Sequence, residues 1–277
     1  MSRAALLQMT SGIDPEVNAR TIVAAIREAR EEGAAMLFTP EMSGLLDRDR
    51  ARAAAKIVTE GEDRVLDAVR EAAARAGAWV HLGSLAIRPE GGDGRYANRA
   101  FVIDGNGEIA ARYDKIHMFD VDLASGESWR ESNAYAPGGK VVSLDTPLGR
   151  LGLAICYDIR FPALFEALGA MACDVIAIPA AFTVPTGKAH WHLLQRARAV
   201  EASAFVVSAA QVGRHEDGRE TFGHSLAVDP WGDVLLDMGG ALDGQGAGLA
   251  FVDIDRARID EVRAQLPSLA NRRAIAK

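Results

Sequence analysis

The chain has 277 residues, of which 49% are hydrophobic and 25% charged, a composition typical of globular proteins with room for one large α/β domain or two small ones. Its 31 basic and 38 acidic residues give a formal charge of −7, which argues against a nucleic-acid-binding surface. No apolar run is long enough to span a bilayer, and two cysteines are too few for a disulfide scaffold, so we expect reduced thiols in the cytoplasm.

The first half of the chain alternates apolar runs of strand length with amphipathic stretches of helical period. The run at residues 4–9 is too short for the core of a signal peptide and predicts a first strand. Asp14 and Pro15 supply an N-cap and a first-turn proline for a helix that Gly33 ends. The next predicted elements are a strand at 35–39, a helix after the capping-box pair Thr59 and Glu62, a strand at 79–87 and a hairpin at 97–115.

Residues 116–140 show little periodicity, which predicts a long irregular excursion of the kind that is often functional. The second half of the chain then repeats the earlier arrangement. Its predicted elements are a hairpin at 141–156, a helix at 162–172, a strand at 174–182, a helix at 188–203, a strand at 205–211, a hairpin at 224–238, a strand at 248–255, and a last helix ended by Pro267 ahead of a polar tail at about 267–277.

Segments of the two halves resemble each other in the same order. The paired segments are LFTPE and IAIPAA, VHLGSLA and FVVSAAQ, and AFVIDGNGEIAA and LAVDPWGDVLLD. Neither half could bury both faces of its sheet alone, so we expect two sheets packed face to face with helices outside. The predicted fold class is therefore α/β, a four-layer α-β-β-α sandwich of two pseudo-equivalent halves in a single domain over residues 1–277.

Three ionisable residues directly follow strand-like runs: Glu41, Lys115 and Cys156. Ligand sites in open α/β sheets gather at the carboxyl ends of strands. Cys156 stands between a buried strand and a helix beginning near Pro162, where free backbone N–H groups favour thiolate. A thiol nucleophile, a carboxylate base and an ammonium that stabilises an oxyanion suffice for acyl transfer. Each residue alone also has a structural interpretation, as a core cysteine, a helix-capping glutamate and a solvated lysine.

The segments around these residues are TPEMS, RYDKIHMFD and GLAICYDIRFP. They resemble the nitrilase superfamily of carbon–nitrogen hydrolases, which use a Glu-Lys-Cys triad on an α-β-β-α sandwich. Residues 185–201 and 223–232 resemble later blocks of that family, so the resemblance covers nearly the whole chain. It is strongest to the nitrilase-like amidases.

By this resemblance Glu41 is the general base, Lys115 stabilises the oxyanion and Cys156 is the nucleophile. Glu131 matches a further glutamate that orients the lysine and the substrate amine, and the backbone N–H of Tyr157 is a second oxyanion donor. The implied reaction hydrolyses a non-peptide amide bond through a cysteine thioester, with release of ammonia. The resemblance implies no cofactor or metal, a small-molecule amide as the partner, and a homodimer or higher homo-oligomer. The net charge and the short apolar runs argue against nucleic-acid and membrane partners.

Three further residues bear on substrate recognition. Arg160 matches an arginine that holds a substrate carboxylate in amidase-like members, and its planar fork suits that task. A structural arginine paired with Asp158 or with a neighbouring loop is an open alternative. Phe182 and Thr186 fall where family pocket residues occur. A core position for Phe182 and a helix cap for Thr186 are the alternatives.

The resemblance implies a substrate class rather than one compound. We expect a small carboxylate-bearing amide: deaminated glutathione first, then ω-amides of α-keto acids, then N-carbamoyl amino acids. A non-catalytic binding protein on the same fold is the alternative from a different class. A rival mechanism would pair Cys156 with a histidine base, His117 or His224. A metal site at His190 and His192 is disfavoured because side chains two apart on a helix do not face one another.

Overall fold

The computed structural model describes residues 1–91, 93–122, 126 and 128–275. Its strands are β1 (Ser2–Gln8), β2 (Met36–Phe38), β3 (Trp79–Ile87), β4 (Ala97–Ile103), β5 (Ile109–Asp114), β6 (Asp120–Asp122), β7 (Ser128–Arg130), β8 (Ser143–Thr146), β9 (Gly149–Leu153), β10 (Val175–Ala177), β11 (Phe205–Ser208), β12 (Val212–Arg214), β13 (Glu220–Phe222), β14 (Leu226–Val228), β15 (Val234–Asp237) and β16 (Gly248–Ile254). Its helices are α1 (Pro15–Glu31), α2 (Arg50–Ala54), α3 (Arg64–Ala76), α4 (Pro162–Ala170), α5 (Val184–Ala202) and α6 (Arg256–Gln265).

Two six-stranded sheets have the same internal order. The first runs β16-β1-β2-β3-β4-β5, and the second, read from its other edge, runs β8-β9-β10-β11-β14-β15. In both sheets the first pair is antiparallel, the next two pairs are parallel and the last two are antiparallel. The predicted equivalence of the two halves is thereby confirmed, and β16 completes the first sheet from the far end of the chain.

Strand β1 shows how the layers arise. Successive side chains of a strand point to opposite faces. Ala4 and Leu6 join a core that includes residues of both sheets, whereas Ala5 and Leu7 pack beneath α1 and α3. Helices α4 and α5 cover the outer face of the second sheet. The predicted α-β-β-α sandwich is confirmed.

Helix starts follow local capping chemistry, with two differences from the predictions. Asp14 caps α1 by accepting the Glu16 N–H at 2.9 Å, and Pro15 occupies the first turn. The capping box of Thr59 and Glu62 forms, but it surrounds a 3-10 turn, and Asp63 caps α3. Helix α5 starts at Val184 rather than near 188, because a proline in its first turn suits an early start.

Several irregular segments are more ordered than predicted. The excursion at 116–140 contains the antiparallel pair β6–β7 and a 3-10 turn at Glu131–Asn133, while residues 123–125 and 127 lie outside the described residues. The pair β12–β13 was not predicted. Conversely β10 ends at Ala177, short of the predicted 182, because the chain beyond it turns into the site described below.

The predicted tail runs over the chain's own surface as far as it is described. Arg272 donates to the carbonyl oxygens of Glu166 at 2.8 Å and Glu201 at 3.2 Å; residues 276–277 lie outside the described residues. None of the helices within the described ranges combines the length and the apolar character needed to cross a membrane.

Candidate active site

The three predicted catalytic residues meet where strand ends of the two sheets come together. Glu41 follows β2, Lys115 follows β5 and Cys156 follows β9. Lys115 Nζ lies 2.9 Å from Glu41 Oε1, and Cys156 lines the same cavity as both residues. All three residues are buried. The fold therefore brings together residues that are far apart in sequence.

The backbone at Cys156 adopts a conformation that is rare for a residue with a side chain. Its φ is +48°, in the left-handed region, and such strained residues cluster at functional sites. The Cys156 N–H donates to the Pro179 carbonyl at 2.9 Å. Asp158 braces the turn by accepting the Ile155 N–H at 3.0 Å and the Tyr113 hydroxyl at 2.6 Å. These contacts fix the thiol beside Glu41.

The ionisation states of the triad follow from burial and mutual charge. Burial would raise the pKa of Glu41, but the positive charge of Lys115 and hydrogen bonds to its carboxylate hold that pKa below its ordinary value. Burial would lower the pKa of Lys115, but nearby carboxylates raise it well above its usual range. Burial and the charge of Glu41 raise the pKa of the Cys156 thiol well above its ordinary value, although Lys115 opposes them.

The resting site therefore holds a carboxylate, an ammonium and a neutral thiol. The expectation that the helix start favours thiolate at Cys156 is wrong, because a 3-10 turn at Cys156–Arg160 precedes α4 and because the buried carboxylate of Glu41 disfavours a second negative charge. A neutral thiol beside a carboxylate is the arrangement that general-base activation requires.

Glu131 and Asn98 complete the polar network. Glu131 accepts from Lys115 Nζ at 3.1 Å and 2.9 Å through its two oxygens, and its Oε2 accepts the Phe119 N–H at 2.6 Å. Asn98 Nδ2 donates to Glu41 at 2.9 Å and to Glu131 at 3.2 Å. Sequence reasoning missed Asn98. By strand alternation Asn98 shares a face with Ala100 and Val102, and a polar residue on an apolar face was the signal that could have found it.

A cavity of about 740 Å³ opens above the network. All eight residues predicted from the sequence line it: Glu41, Lys115, Glu131, Cys156, Tyr157, Arg160, Phe182 and Thr186. The Tyr157 N–H donates to no group among the described residues. It is therefore available to a bound ligand.

Arg160 reaches this cavity between two aromatic rings. Its guanidinium carbon lies 5.8 Å from the centre of the Tyr157 ring and 5.6 Å from that of Phe182, and its Nη1 lies 3.3 Å from His190 Nδ1. The alternative ion pair with Asp158 does not form, because that carboxylate is occupied by other donors. Within the described ranges Arg160 has no carboxylate partner.

Phe182 and Thr186, the two remaining pocket candidates, each have both the pocket role and the structural role that the sequence suggested. Phe182 is buried and packs on Trp191 with ring centres 4.7 Å apart, yet it also lines the cavity. Thr186 Oγ1 lies 2.8 Å from Thr183 Oγ1 in the first turn of α5. Its hydroxyl is thus partly engaged by the helix start while it faces the same cavity.

The histidines lie elsewhere. His117 Nδ1 contacts Asp158 at 2.7 Å and its ring stacks on Phe161, and His224 Nδ1 lies 2.9 Å from Asp237. Neither lines the cavity, so the rival cysteine–histidine pairing gains no support.

Among the described residues, one group suits a metal ion: His192, His224 and Asp237, whose potential ligand atoms lie within 4.8 Å of one another. Their contacts at hydrogen-bond distance make this group a hydrogen-bonded cluster.

Comparison with known proteins agrees with this arrangement. The sequence profile of the family described as carbon-nitrogen hydrolase matches residues 3–264. A protein of Yersinia enterocolitica named deaminated glutathione amidase is 38% identical over 275 residues, which cover 99% of this chain and 94% of that protein. The human protein of the same name is 36% identical, over 97% of this chain and 81% of its own length.

Solved structures give the same result. The Caenorhabditis elegans NitFhit protein matches with a TM-score of 0.89 and 34% identity, over 98% of this chain and 65% of that chain. A Glu-to-Gln mutant of the amidase from Nesterenkonia sp. AN1, with acrylamide added at its active-site cysteine, matches with a TM-score of 0.78 and 27% identity, over 96% of this chain and 98% of that chain.

The class defined by the fold and the buried Glu-Lys-Cys cluster is thus a hydrolase of the α-β-β-α sandwich type. The chain belongs to the carbon-nitrogen hydrolase family, since the family profile spans nearly all of it. It is an enzyme that hydrolyses carbon–nitrogen bonds. The family predicted from the sequence is confirmed.

Proposed function

We propose that the chain is an amidase that hydrolyses an amide of a small carboxylate-bearing acid through a thioester on Cys156. The observation that carries this proposal is the placement of the neutral thiol against the Glu41 carboxylate, which Lys115 holds ionised. Glu131 and Asn98 hold Lys115 and Glu41 in place. The family membership and the amidase names of its relatives support the same chemistry.

In the first half of the reaction the thiol forms a bond to the amide carbon. Sγ of Cys156 attacks that carbon while its proton passes to Glu41, and the carbonyl oxygen becomes an oxyanion. When the carbon–nitrogen bond breaks, Glu41 returns the proton to the departing nitrogen, which leaves as a neutral amine or ammonia. The acyl group remains on sulfur as a thioester.

In the second half, water replaces the sulfur. Glu41 takes a proton from the water as its oxygen attacks the thioester carbon. The carbon–sulfur bond then breaks, and the proton returns to Cys156, so the acid leaves and the neutral thiol is restored. The chain's own residues suffice for both steps.

Two donors are available to the oxyanion in each half. An ammonium has three N–H groups, and those of Lys115 face one oxygen of Glu41 and both oxygens of Glu131. The longest of these contacts, 3.1 Å to Glu131 Oε1, is the one that we expect to be replaced by the substrate oxygen. The unengaged N–H of Tyr157 is the second donor, which supports the predicted oxyanion site.

We propose deaminated glutathione as the substrate, because several relatives at 36–38% identity are named deaminated glutathione amidase. Both amide bonds of this compound are secondary, so the leaving group is an amine. The ammonia release predicted from the resemblance applies to a primary ω-amide or to an N-carbamoyl amino acid, whose terminal NH2 group leaves as ammonia. An assay of ammonia alone would therefore miss the proposed reaction.

The test is a substrate panel with detection of both new amine and ammonia. The panel holds deaminated glutathione, an ω-amide of an α-keto acid and an N-carbamoyl amino acid. We expect the highest kcat/KM for deaminated glutathione, with release of an amine. Preference for the ω-amide, with stoichiometric ammonia, would establish the ω-amidase alternative, and the absence of hydrolysis of every compound would contradict the proposed substrate class.

We propose that Arg160 holds a carboxylate of the substrate. The absence of a carboxylate partner in the described part of the chain and its stacking between Tyr157 and Phe182 support this role. Thr186 and Phe182 then shape the adjoining wall. Arg160→Lys should raise KM for carboxylate-bearing amides far more than for neutral ones, since lysine lacks the bidentate fork; equal effects on both would contradict the clamp.

We further propose that residues 1–277 form one domain that assembles as a homodimer in the cytoplasm. Pairing of β16 with β1 across the whole chain supports a single domain. The free thiols of Cys156 and Cys173 suit a reducing compartment. An exposed apolar patch, described in the Discussion, supports self-association.

A further inference from the structure

A second arginine that lines the cavity, Arg219, has too few hydrogen-bond acceptors around its guanidinium group. It lies between β12 and β13, and its guanidinium carbon is 4.9 Å from the centre of the Trp129 ring. Only 18% of its side chain is exposed. Its Nε is buried and donates to no group in the described part of the chain, and the same holds for Trp129 Nε1. A guanidinium in such surroundings costs free energy unless an anion compensates it.

The nearest carboxylate compensates Arg219 only weakly. Arg219 Nη2 lies 3.5 Å from Asp217 Oδ2. That oxygen already accepts the backbone N–H of Arg48 at 2.8 Å, and Oδ1 accepts the backbone N–H of Arg219 at 2.9 Å. The Asp217 carboxylate therefore already links the segment of Arg48 to that of Arg219 through backbone hydrogen bonds. Burial lowers the pKa of Arg219, Asp217 opposes that shift, and the nearby positive charge of Arg48 adds to it.

The charge of the cavity wall points to an anionic ligand. Seven lysine and arginine side chains but only three carboxylates are found among its described lining residues, in a chain whose net charge is −7. Those carboxylates are already engaged. Glu41 and Glu131 bind Lys115, and Asp47 binds Arg52 at 2.7 Å. None is left to neutralise Arg48 or Arg219.

Arg219 and Arg160 face the cavity from different walls. Arg160 stacks on Tyr157 and Phe182 beside α5, whereas Arg219 stacks on Trp129 of β7 and has the charge of Arg48 beside it. A ligand with a single carboxylate bound to Arg160 would leave the positive charge of Arg219 uncompensated. A ligand that neutralises both walls must carry two anionic groups.

We propose that Arg219, with Arg48, forms a second carboxylate subsite of the catalytic cavity, so that the preferred substrates are amides with a carboxylate on each side of the scissile bond. This inference rests on the proposed amidase function and narrows its substrate class. The ion pair forms in a partly buried site, where the charge-assisted fork of Arg219 is strong. Arg219 binds the carboxylate of the part that leaves with the nitrogen, whereas Arg160 holds the carboxylate of the acyl part.

Binding to the Cys156→Ala variant tests the subsite without turnover. The two probes are N-glutarylglycine, which has carboxylates on both sides of its amide, and N-ethylglutaramate, which lacks the glycine carboxylate. Calorimetry should give a Kd at least about tenfold lower for the first probe, the gain expected of one charge-assisted hydrogen-bonded pair. Adding Arg219→Gln should abolish this ratio and leave the Kd of N-ethylglutaramate unchanged.

Two further variants keep the outcome decisive. Arg95→Gln is the matched control, because Arg95 lines the same cavity but is paired with Asp93 at 2.8 Å; it should preserve the ratio. Arg48→Gln should reduce the ratio even if the Arg219 variant does not fold. A ratio near one in the parent variant, a ratio that survives both substitutions, or no binding of either probe would overturn the subsite.

The result separates this inference from the proposed function. A preserved preference for N-glutarylglycine in a protein that hydrolyses no amide would overturn the function and leave the subsite standing. Normal amide hydrolysis without that preference would overturn the subsite alone.

Discussion

Glu41, Lys115 and Cys156 have ionisation states that depend on their neighbours. A carboxylate as buried as Glu41 would favour its neutral form if it stood alone. The ammonium of Lys115 and the N–H donors of Asn98 and Ala181 keep it ionised, the last of these at 3.0 Å from Oε2. The carboxylate in turn keeps the thiol protonated. We therefore expect the Cys156 proton to pass to the Glu41 carboxylate only when a substrate is bound.

The pH dependence of kcat/KM should report this pairing. Glu41 must be ionised, and its pKa lies below the ordinary 4.5; Cys156 must be protonated, and its pKa lies well above the ordinary 9.0. Activity should fall as acid protonates Glu41 and should stay flat from about pH 5.5 to about 8.5. A fall in kcat/KM below about pH 6.5, the usual pKa of histidine, would instead indicate a histidine base.

At the residue scale, the sequence could predict the triad but not the residues that hydrogen-bond to it or line its cavity. Glu41, Lys115 and Cys156 each follow a strand and stand in segments that resemble one family. Asn98 lies 57 residues from Glu41, and nothing in its own segment says that the two side chains meet. The same holds for Arg219, because whether an arginine is paired or available to a ligand depends on the acceptors that the fold places around it.

At the scale of elements, an irregularity in β3 positions the base. The pairing of β3 with β4 shifts register between Leu82 and Leu85. There the Gly83 N–H donates to Thr39 Oγ1 at 3.0 Å, and Ser84 Oγ accepts the Met42 N–H at 2.9 Å. The segment that bears Glu41 is thus hydrogen-bonded to this bulge. Hydrophobic alternation predicted β3 well, but a bulge depends on cross-strand contacts that periodicity does not contain.

Gly83→Ala should therefore lower both stability and activity. A Cβ at Gly83 would collide with the carbonyl oxygens of Thr39 and Pro40 and would lie 2.6 Å from the Pro179 Cβ. Backbone atoms cannot yield as a flexible side chain does, so we expect a loss of about 3 kcal/mol in the free energy of unfolding, together with a lower kcat as Glu41 shifts. Denaturant unfolding and kcat would measure both.

Gly61→Ala is the matched control for this change. A Cβ there would meet no atom within 4 Å, so stability and kcat should remain close to those of the wild type. An unchanged unfolding free energy in the Gly83 variant would show that the bulge does not hold the Glu41 segment as described.

At the scale of the whole molecule, two equivalent halves carry one site. When the halves are aligned on Pro40 and Pro179, Glu41 in the first is matched by Ala180 in the second. The base and the lysine therefore come from one half and the nucleophile from the other. The sequence repeat predicted the two sheets and their order, whereas the short pairs β6–β7 and β12–β13 have no counterpart in that repeat.

An apolar patch on the second half is the expected dimer surface. We define the α5–β15 patch by exposed apolar side chains of α5 and the β14–β15 hairpin, two elements that Arg196 joins by donating to the Gly232 carbonyl at 2.7 Å. Contiguous exposed apolar area marks association surfaces. The patch consists of Leu193, Val200, Trp231, Val234 and Leu235.

If the proposed dimer forms through this patch, Leu193→Glu should give a monomer, because a charge in the patch cannot be buried against an apolar partner. Light scattering after size-exclusion chromatography would measure the mass. Val17→Glu, an equally polar change at an exposed valine of α1, should leave the dimer intact. A wild-type protein of 29.5 kDa in solution would contradict the proposed assembly.

The central claim is that Cys156 carries the acyl group during turnover. Rapid acid quenching with mass spectrometry should find the substrate acyl mass on the peptide that contains Cys156. Cys156→Ala should fold normally and retain less than about 1% of wild-type turnover. Cys173→Ala should remain active, because that thiol is buried away from the cavity and its pKa is raised to about 11. Full turnover by a folded Cys156→Ala protein, or an acyl group found on Cys173, would contradict the account.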